Sequence, residues 1–452
     1  MTAINKAIKW IKSPTSIAPL VTFRVLFGIL MLLSTIRFWI RGWITTQYVD
    51  PTFHFTFIGF DWIHPLGNVG MHLVFFFIAV SSLFIALGFC YRFAMVTFFL
   101  LFTYVELIDV TYYLNHYYFI SVVSFLMIWL PAGRFFSLDV KFNPALKVTE
   151  VPRWTVGSIR LQLGLVYFFA GLAKLNSDWL LAAQPMKIWL PTKSHLPLIG
   201  SLMYEEWVAY FFSWFGAAYD LFIVFFLLIR RTRFIGYLMV LIFHIATAIF
   251  FPAIGMFPYI MMVCTLVFFS GDFHLKLIRF FNPLFSGVEN RSVFFKPVYQ
   301  NERLWIFGLF FLIQIVLPMR YLAYPGPLFW TEEGYRFSWR VMLMEKVGTA
   351  IFSIRDSQTG NRYEVNNSEF LTTQQEKMMS TQPDLILKYA HYLADVYVRR
   401  GIKKPQVYGE VYVTLNGRRS APFIDSKVNL ADQQLSFKHY KWILPFNINH
   451  DL

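Results

Sequence analysis

Charged residues are scarce in this chain, and cysteine is scarcer still. Asp, Glu, Lys and Arg together make up 15% of its 452 residues, whereas a soluble domain has about 25%. Hydrophobic residues make up 57% and aromatic residues 20%, and the mean hydropathy is +0.50. The low charge excludes an ordinary soluble globular protein and indicates an integral membrane protein.

The two cysteines, Cys90 and Cys264, lie in or at the ends of apolar runs. With no cysteine in the segments between, a disulfide framework is not expected, and a metal site built from thiolates is excluded. His72, His116 and His244 would permit a histidine site, but no two have the i, i+4 spacing of a helical zinc motif. We therefore predict no bound metal.

Basic residues outnumber acidic residues by 40 to 26, which gives a net charge of +14. In a soluble protein this excess would favour binding to nucleic acid. Here the basic residues cluster between the hydrophobic runs, where the positive-inside bias of membrane proteins places them. We therefore predict no nucleic-acid partner.

The hydrophobic runs predict a polytopic α-helical membrane protein. Lys6, Lys9 and Lys12 precede the first run as in a signal peptide, but that run is too long for one and has no clear cleavage site. The fourth and eighth runs are short for a span, which needs about 20 residues. The runs predict about nine transmembrane helices, over residues 17–40, 68–90, 93–112, 116–131, 155–175, 203–229, 233–251, 256–270 and 303–320.

The distribution of basic residues predicts the orientation of these spans. With the N-terminus inside, the inner segments hold 16 basic residues and the outer segments hold 5. Because basic residues favour the cytoplasmic side, we expect a cytoplasmic N-terminus and, after nine spans, an extracytoplasmic position for everything beyond Pro318. The two lone cysteines and the short tail favour a bacterial inner (plasma) membrane over an endoplasmic reticulum.

The tail has a different composition, with frequent charges and no long apolar run. It predicts a hairpin around residues 356–360, a helix over 383–400, and strands on both sides of Asn416-Gly417, a strong turn signal. We therefore predict two domains: a helical membrane domain over residues 1–320, and a small extracytoplasmic α+β domain over 321–452.

Polar residues interrupt several spans near their predicted outer ends. His72, Asp109, Asn115, His116, Lys174 and His244 all fall in the outer half of the membrane with the orientation above. A single polar pocket that opens outward would explain this distribution. Each residue also has a simpler interpretation: the lysine as a side chain that snorkels to the interface, and the histidines as helix caps or interhelical hydrogen bonders.

Lys174 is the most informative of these residues. It ends an apolar, helix-like run and is followed by a polar turn and Trp179. A lysine in or at the edge of a membrane is costly to keep charged, which makes it a functional-site candidate by default. A low dielectric also favours the neutral amine, and a neutral amine is a base.

Several stretches of the chain resemble the vitamin K-dependent γ-glutamyl carboxylases and their bacterial relatives, whose membrane part is called the HTTM domain. The most specific is the block Ala170-Gly171-x-x-Lys174-Leu175-x-x-Asp178-Trp179. The similarity covers nearly the whole chain, to about Pro445. The other similar stretches, in the same order, are residues 23–28, 87–92, 109–116, His244, 254–261, 330–331 and 335–339.

The resemblance implies a two-part reaction. A lysine matching Lys174 deprotonates reduced vitamin K, which reacts with O2 to give a strong base and leaves as the epoxide. That base takes a γ-proton from a peptide glutamate, and CO2 adds to the carbanion. The resemblance also implies that His116 is catalytic, with Asn115 orienting it.

Further expectations concern the pocket and its ligands. The quinol co-substrate is expected to be reduced vitamin K or menaquinol, entering among the membrane lipids. The acceptor is expected to be a glutamate-containing peptide or protein that approaches from the outer face. We predict that the quinol pocket is lined by Asp109, Asn115, His244, Asp178, Trp179, Tyr167 and Met256.

The chain departs from the animal carboxylases at several points. They continue into a larger lumenal region, they have two lysines in a row where only Lys174 stands here, and they have a His-Ser pair in place of Met344 and Glu345. Quinol epoxidation without glutamate carboxylation is therefore an alternative. A non-enzymatic quinone-binding, lipid-binding or transport protein is another, although the sequence lacks the inverted repeats with broken helices that are typical of transporters.

Overall fold

A computed structural model describes residues 3–280 and 293–446 of the chain. Its strands are β1 (Pro14–Ser16), β2 (Glu150–Pro152), β3 (Lys346–Asp356), β4 (Arg362–Val365), β5 (Pro405–Leu415) and β6 (Ala421–Pro422). Its α-helices are α1 (Ala3–Lys12), α2 (Ala18–Ile40), α3 (Trp43–Tyr48), α4 (Gly67–Leu87), α5 (Tyr91–Ile108), α6 (Asn115–Trp129), α7 (Leu138–Phe142), α8 (Arg153–Ala173), α9 (Ser177–Leu180), α10 (Met186–Trp189), α11 (Glu206–Leu228), α12 (Arg233–Phe250), α13 (Phe257–Cys264), α14 (Gly271–Phe280), α15 (Gln300–Val316), α16 (Leu328–Thr331), α17 (Thr373–Met379) and α18 (Pro383–Arg399).

Seven helices in the described residues are long and apolar enough to cross a membrane: α2, α4, α5, α8, α11, α12, and α15 with its extension to Ala323. The other two predicted spans are short. Helix α6 has 15 residues; α13 has 8 residues and is followed by a 3₁₀ turn, after which the chain bends by 116° into α14. Since a straight crossing needs about 20 residues, the predicted count of nine spans is not confirmed.

The bundle has two distinct ends. At one end β1 pairs antiparallel with β2, so α2 and α8, which follow these strands, start side by side; we call this the ribbon end. The C-terminal domain packs on the opposite end, the domain end. Short as it is, α6 connects the two. Asn115 at its start donates to the Arg340 carbonyl (2.8 Å) at the domain end, and the carbonyl of its last residue, Trp129, accepts from Arg303 (3.4 Å) near the start of α15.

A buried arginine fastens the ribbon end. Arg24 of α2 is 1% exposed and donates to the carbonyls of Ala132, Ala86 and Phe136 at 3.3, 3.4 and 2.5 Å. Gly88 ends α4 beside it with φ +65°, and a Cβ there would lie 2.1 Å from Arg24 Nη1. Because a buried cation is costly unless its donors are satisfied, this side chain fixes the loops that surround it.

The C-terminal domain is an antiparallel sheet covered by helices. The strand order is β4-β3-β5-β6, with β3 paired to β4 and β5 and β5 to β6. Helix α18 lies against β5 and β3, and Ile386 and Leu393 of this helix share a core with Phe352 and Val407 of the sheet. The predicted small α+β domain is therefore present.

Its local elements agree with the sequence predictions. Strands β3 and β4 form the predicted hairpin around residues 356–360, and α18 occupies the predicted helix at 383–400. Asn416 and Gly417 have φ values of +52° and +80°, as the turn between two antiparallel strands requires. The end of the predicted domain, residues 447–452, lies outside the described residues.

The core of the domain extends into the bundle. Phe55 in the loop between α3 and α4, Val110 after α5 and Trp330 in α16 all belong to it. Lys388 of α18 also forms an ion pair with Asp61 in the α3–α4 loop, with 2.6 Å between Nζ and Oδ1. Residues on both sides of position 320 thus share one core, and the predicted division of the chain at 320 stays a prediction.

Candidate active site

A largely apolar cavity of about 280 Å³ lies inside the bundle near its domain end. Helices α8, α11, α12 and α13 form its walls, and Val341 and Met342 border it on the domain side. An apolar pocket with a few convergent polar groups is typical of a small-molecule site. Nine of its lining side chains are aromatic: Tyr167, Trp179, Phe211, Phe212, Phe215, Phe243, Phe250, Phe251 and Phe257.

Two charged side chains line this cavity, and they form an ion pair. Lys174 Nζ lies 2.6 Å from Asp220 Oδ2, and both side chains are 8% exposed. The same Nζ donates to the Ala170 carbonyl at 3.3 Å and lies 5.4 Å from the centre of the Trp179 ring. In a low dielectric each charge depends on the other for compensation. Lys174 is therefore not the isolated amine that the sequence suggested but half of a pair.

The local sequence explains how this pair forms. Lys174 caps α8, and its N–H bonds to the Gly171 carbonyl at 3.0 Å. Gly171 itself allows α11 to come close, because a Cβ at this position would lie 2.7 Å from the backbone nitrogen of Leu221. This close approach brings Asp220, the residue before Leu221, against the end of α8.

Asp220 was missed by the sequence analysis. The signal was available: it is a lone carboxylate in the middle of the apolar run that forms α11. An acid inside a membrane span is as much a functional-site candidate as a lysine. The sequence does not say which residue such an acid pairs with, because the partner is 46 positions away and depends on the packing of α8 on α11.

A second polar pair lies deeper in the cavity. The Tyr167 hydroxyl and His244 Nε2 are 3.1 Å apart, and both side chains line the cavity. His244 is 1% exposed, and its Nδ1 has no hydrogen-bond partner in the described part of the chain. The predicted pocket residues Tyr167, Trp179 and His244 thus meet around Lys174.

The other predicted catalytic residue lines a second cavity of about 550 Å³. His116 and Asn115, at the start of α6, lie in its wall together with residues of the C-terminal part. Phe257 separates the two histidines: its ring centre is 6.1 Å from that of His116 and 5.7 Å from that of His244. We call the five residues that line both cavities the partition: Phe251, Ile254, Phe257, Val341 and Met342.

Asp109 lies outside both cavities. Its Oδ2 accepts from Gln375 of α17 at 2.9 Å and lies 3.3 Å from His54 Nδ1, and its Oδ1 accepts from the Thr111 hydroxyl at 2.6 Å. These contacts join the end of α5 to the C-terminal domain. Asp109 therefore holds the two parts of the chain together rather than lining the pocket.

Asp178 has the same kind of role. Its two oxygens accept from Arg418 at 2.6 and 2.8 Å, and Oδ2 also accepts from Asn416 at 2.7 Å. Burial raises the pKa of Asp178, but the hydrogen bonds from Arg418 and Asn416 and the charge of Arg418 outweigh this, and the net pKa is lowered. The β5–β6 turn is thus docked onto the polar turn after Lys174.

Two further residues lie away from the Lys174 cavity. Met256 packs at the edge of the main bundle core, while its neighbours Ile254 and Phe257 line the cavity. His72 is bonded to the Asn68 carbonyl of its own helix at 2.9 Å. Among the described residues no three His, Cys, Asp or Glu side chains are grouped so as to hold a metal ion.

Two family profiles match the chain. The HTTM domain matches residues 12–273, which is more than half of the chain, and the lumenal domain of vitamin K-dependent gamma-carboxylase matches residues 299–449. The fold and the site thus define an HTTM-domain membrane protein. More particularly, the chain belongs to the vitamin K-dependent gamma-carboxylase-like family, because both of its parts match. None of the solved structures matches this one.

The departure at Met344 and Glu345 lies beside the second cavity. Met344 lines it. Glu345 accepts a hydrogen bond from Trp189 Nε1 at 2.6 Å. The wall of the second cavity is thus apolar at Met344.

Proposed function

We propose that this protein is a quinol-dependent γ-glutamyl carboxylase-like enzyme of a bacterial plasma membrane. One observation carries the proposal: the buried Lys174–Asp220 pair lies in an apolar cavity that adjoins the cavity of His116 across a wall of five side chains. The first cavity suits an apolar co-substrate. The second, which is larger and more polar, suits a peptide side chain.

The residues present fit reduced vitamin K or menaquinol. Both have a flat bicyclic ring with two hydroxyl groups and an apolar tail, and the cavity offers aromatic walls with polar side chains among them. Phe211, Phe215 and Ile242 line the cavity and are also exposed, by 55%, 39% and 58%. An isoprenoid tail can therefore leave between α11 and α12 into the lipid.

The Lys174–Asp220 pair supplies a place for the proton. The pair holds one shared proton between Nζ and Oδ2 and is neutral overall. When it accepts a second proton from a bound hydroxyl group, it becomes a net cation beside the anion that is left, which keeps the site neutral as a whole. This removes the need for a free neutral amine. When bound, the reduced quinol together with O2 supplies the strong base that the carboxylation of glutamate needs.

The surrounding residues protect that chemistry. The aromatic walls exclude water, which would otherwise quench a strong base. The Tyr167–His244 hydrogen bond gives a second polar anchor in the same cavity. His116 and Asn115 face the glutamate-containing peptide in the second cavity, from which CO2 can reach the same γ-carbon.

The same proposal includes an orientation. Basic residues concentrate at the ribbon end, which by the positive-inside bias favours a cytoplasmic position for that end. The domain end and the C-terminal domain then lie outside. A peptide substrate therefore approaches from the extracytoplasmic face, and the quinol enters from the lipid.

The experiment is quinone epoxide formation by the purified protein in lipid nanodiscs. The reaction contains reduced vitamin K or menaquinol, O2, bicarbonate and a glutamate-containing peptide. We expect epoxide from the wild type and at least a 100-fold lower rate from Lys174→Ala and from Asp220→Asn. Lys187→Ala is the matched control, because Lys187 is also paired to a glutamate but lies outside the cavity.

A wild type that is folded and forms no epoxide with either quinol would overturn the proposal. An unaffected rate in Lys174→Arg would exclude proton transfer through the lysine, since guanidinium keeps its proton.

Quinol epoxidation without glutamate carboxylation is the second candidate. Met344 supports it, because its side chain offers no hydrogen-bond donor and only a weak acceptor to a substrate in the second cavity. Incorporation of labelled bicarbonate into the peptide separates the two: epoxide with label indicates the carboxylase, and epoxide without label indicates the second candidate.

A further inference from the structure

Arg340 is a buried cation in the second cavity that has no acidic partner. It is 8% exposed, lines the cavity next to the Asn115–His116 wall, and belongs to none of the ion pairs in the described part of the chain. Its Nε has no hydrogen-bond partner there either. A guanidinium that is taken out of water without compensation is costly, which raises the question of what it binds.

The other charges of this cavity are compensated or lie at its edge. Glu332 pairs with Lys346 at 2.9 Å, and Arg336 pairs with Asp384 at 2.5 Å. Lys193 is only half-buried, at the wall formed by the α10–α11 connection. Arg340 is therefore the charge in the interior of this cavity that a ligand can neutralise.

The guanidinium is held in position without being neutralised. Its Cζ lies 4.4 Å from the centre of the Tyr321 ring, which fixes its plane. Burial lowers the pKa of Arg340 and the nearby Tyr335 and Tyr321 oxygens partly offset this, but an arginine stays protonated at any physiological pH.

The backbone around Arg340 is also constrained. Phe337, Trp339 and Met342 all have positive φ, between 51° and 59°, a conformation that costs free energy in residues other than glycine. The Asn115 amide donates to the Arg340 carbonyl at 2.8 Å. Asn115, which is predicted to orient His116, thus fixes the segment that carries Arg340.

We propose that Arg340 is the binding residue for the γ-carboxylate of the substrate glutamate. This inference rests on the function proposed above. It assigns the glutamate-containing peptide to the second cavity. A planar guanidinium matches a carboxylate with two parallel hydrogen bonds. The bound glutamate then lies in the cavity that adjoins the Lys174 cavity at the partition.

The position also suits the chemistry. When the Cγ–H bond breaks, the proton goes to the base that the bound quinol and O2 supply, and the electron pair spreads onto the γ-carboxylate. The second negative charge is stabilised by Arg340. The same electron pair then forms the new bond to the carbon of CO2, whose oxygens take the charge.

The test is the binding of two peptides that differ only in one glutamate or glutamine, measured on the full-length protein in nanodiscs without quinol. We expect the wild type to prefer the glutamate peptide by about 10- to 100-fold, which is the range for a charge-assisted hydrogen-bonded pair. Arg340→Gln should lose this preference and leave the affinity for the glutamine peptide unchanged. Arg340→Lys should keep part of it.

Lys193→Gln is the matched control, because Lys193 lines the same cavity and the change removes the same charge. Its preference should stay within about threefold of the wild type, since half-exposed charges contribute little. Thermal unfolding of each variant reports whether it folds. If Arg340→Gln does not fold, the preference measured for Arg340→Lys tests the assignment instead.

Three results would overturn the assignment: no preference in the wild type, an unchanged preference in Arg340→Gln, or the loss appearing in Lys193→Gln instead. Because the binding assay needs no turnover, it is independent of epoxide formation. If the protein discriminates between the peptides but forms no epoxide, the carboxylate site is supported and the proposed function is excluded.

Discussion

The burial of Lys174 and the burial of Asp220 each depend on the opposite charge of the other residue. Each alone would be an uncompensated charge in an apolar cavity, whereas together they are neutral. Removal of one partner from a buried pair costs about 3–5 kcal/mol, while replacement of both by apolar groups is often neutral. Stability and catalysis therefore make opposite demands on this site.

A double-mutant cycle on Lys174 and Asp220 measures this mutual dependence. Lys174→Met and Asp220→Leu should each lower the free energy of unfolding by about 3 kcal/mol, and the double variant should recover most of that loss while remaining inactive. Unfolding in mixed micelles provides the free energies. Additive losses in the double variant would mean that the two side chains are not coupled, contrary to the 2.6 Å contact.

Of the two charged residues in this site, the sequence predicts Lys174 and not Asp220. A lysine after an apolar run is visible in the residues themselves, and the Ala-Gly-x-x-Lys block gave it a role by resemblance. Asp220 was visible too, but its partner is a property of helix packing. Asp109 and Asp178 show the reverse case: their positions in the sequence pointed to the pocket, and their hydrogen bonds go to the C-terminal domain.

The close contact between helices α8 and α11 sets the geometry of the Lys174–Asp220 pair. Gly171 faces the backbone of α11 so closely that no side chain fits, whereas Gly157, four turns earlier on the same helix, has nothing within 4 Å of a Cβ. The two glycines are therefore a matched pair of test positions, one packed and one open.

Gly171→Ala should push α11 away from α8 and lengthen the Lys174–Asp220 contact. We expect a loss of about 1–3 kcal/mol in stability, as for other overpacked cores, together with a fall of at least tenfold in epoxide formation. Gly157→Ala should be neutral or slightly stabilising, because alanine favours the helix. Equal behaviour of the two variants in both assays would contradict the close approach.

The predicted spans agree with the structure except for the two that are too short to cross a membrane as one straight helix. The seven long runs are helices at nearly the predicted positions. The two short ones, α6 and α13, are apolar enough to be read as spans. Helix α6 has only 15 residues and ends before Pro131, and α13 has 8 residues and passes into a 3₁₀ turn before the bend of 116°. Hydropathy detects burial in an apolar environment, and it does not distinguish lipid from protein neighbours.

The C-terminal domain is fastened to the bundle through three carboxylates of the bundle part. Asp109, Asp178 and Asp61 each accept a hydrogen bond from the domain. The contact of Asp178 with Arg418 is the nearest to Lys174, four residues along the chain. Movement of the domain is therefore coupled to the turn that follows the lysine.

The lowered pKa of Asp178 gives this contact a pH dependence with a definite sign. A carboxyl whose pKa is lower when docked stabilises the docked state above its free pKa of about 3.9. That stabilisation is lost as the pH falls through the lowered value. Between pH 5 and pH 8 this contact should contribute a constant amount.

We expect amide exchange in the β5–β6 turn to increase as the pH falls below about 4, after correction for the intrinsic rate. Asp178→Asn should show faster exchange at neutral pH and no further change from this group on acidification. An acid-induced increase of the same size in Asp178→Asn would assign the transition to another carboxylate.

The partition has a consequence for enzyme kinetics. On one side of it is the Lys174 cavity, which has lining residues exposed to lipid, and on the other is the cavity bordered by the C-terminal part. The proposed quinol and the proposed peptide would therefore have separate entrances. Neither occupies the path of the other, and binding of one leaves room for the second. The expected rate law is a random-order ternary-complex mechanism, with intersecting double-reciprocal lines, in which a quinol analogue competes with quinol and leaves the apparent affinity for the peptide unaffected.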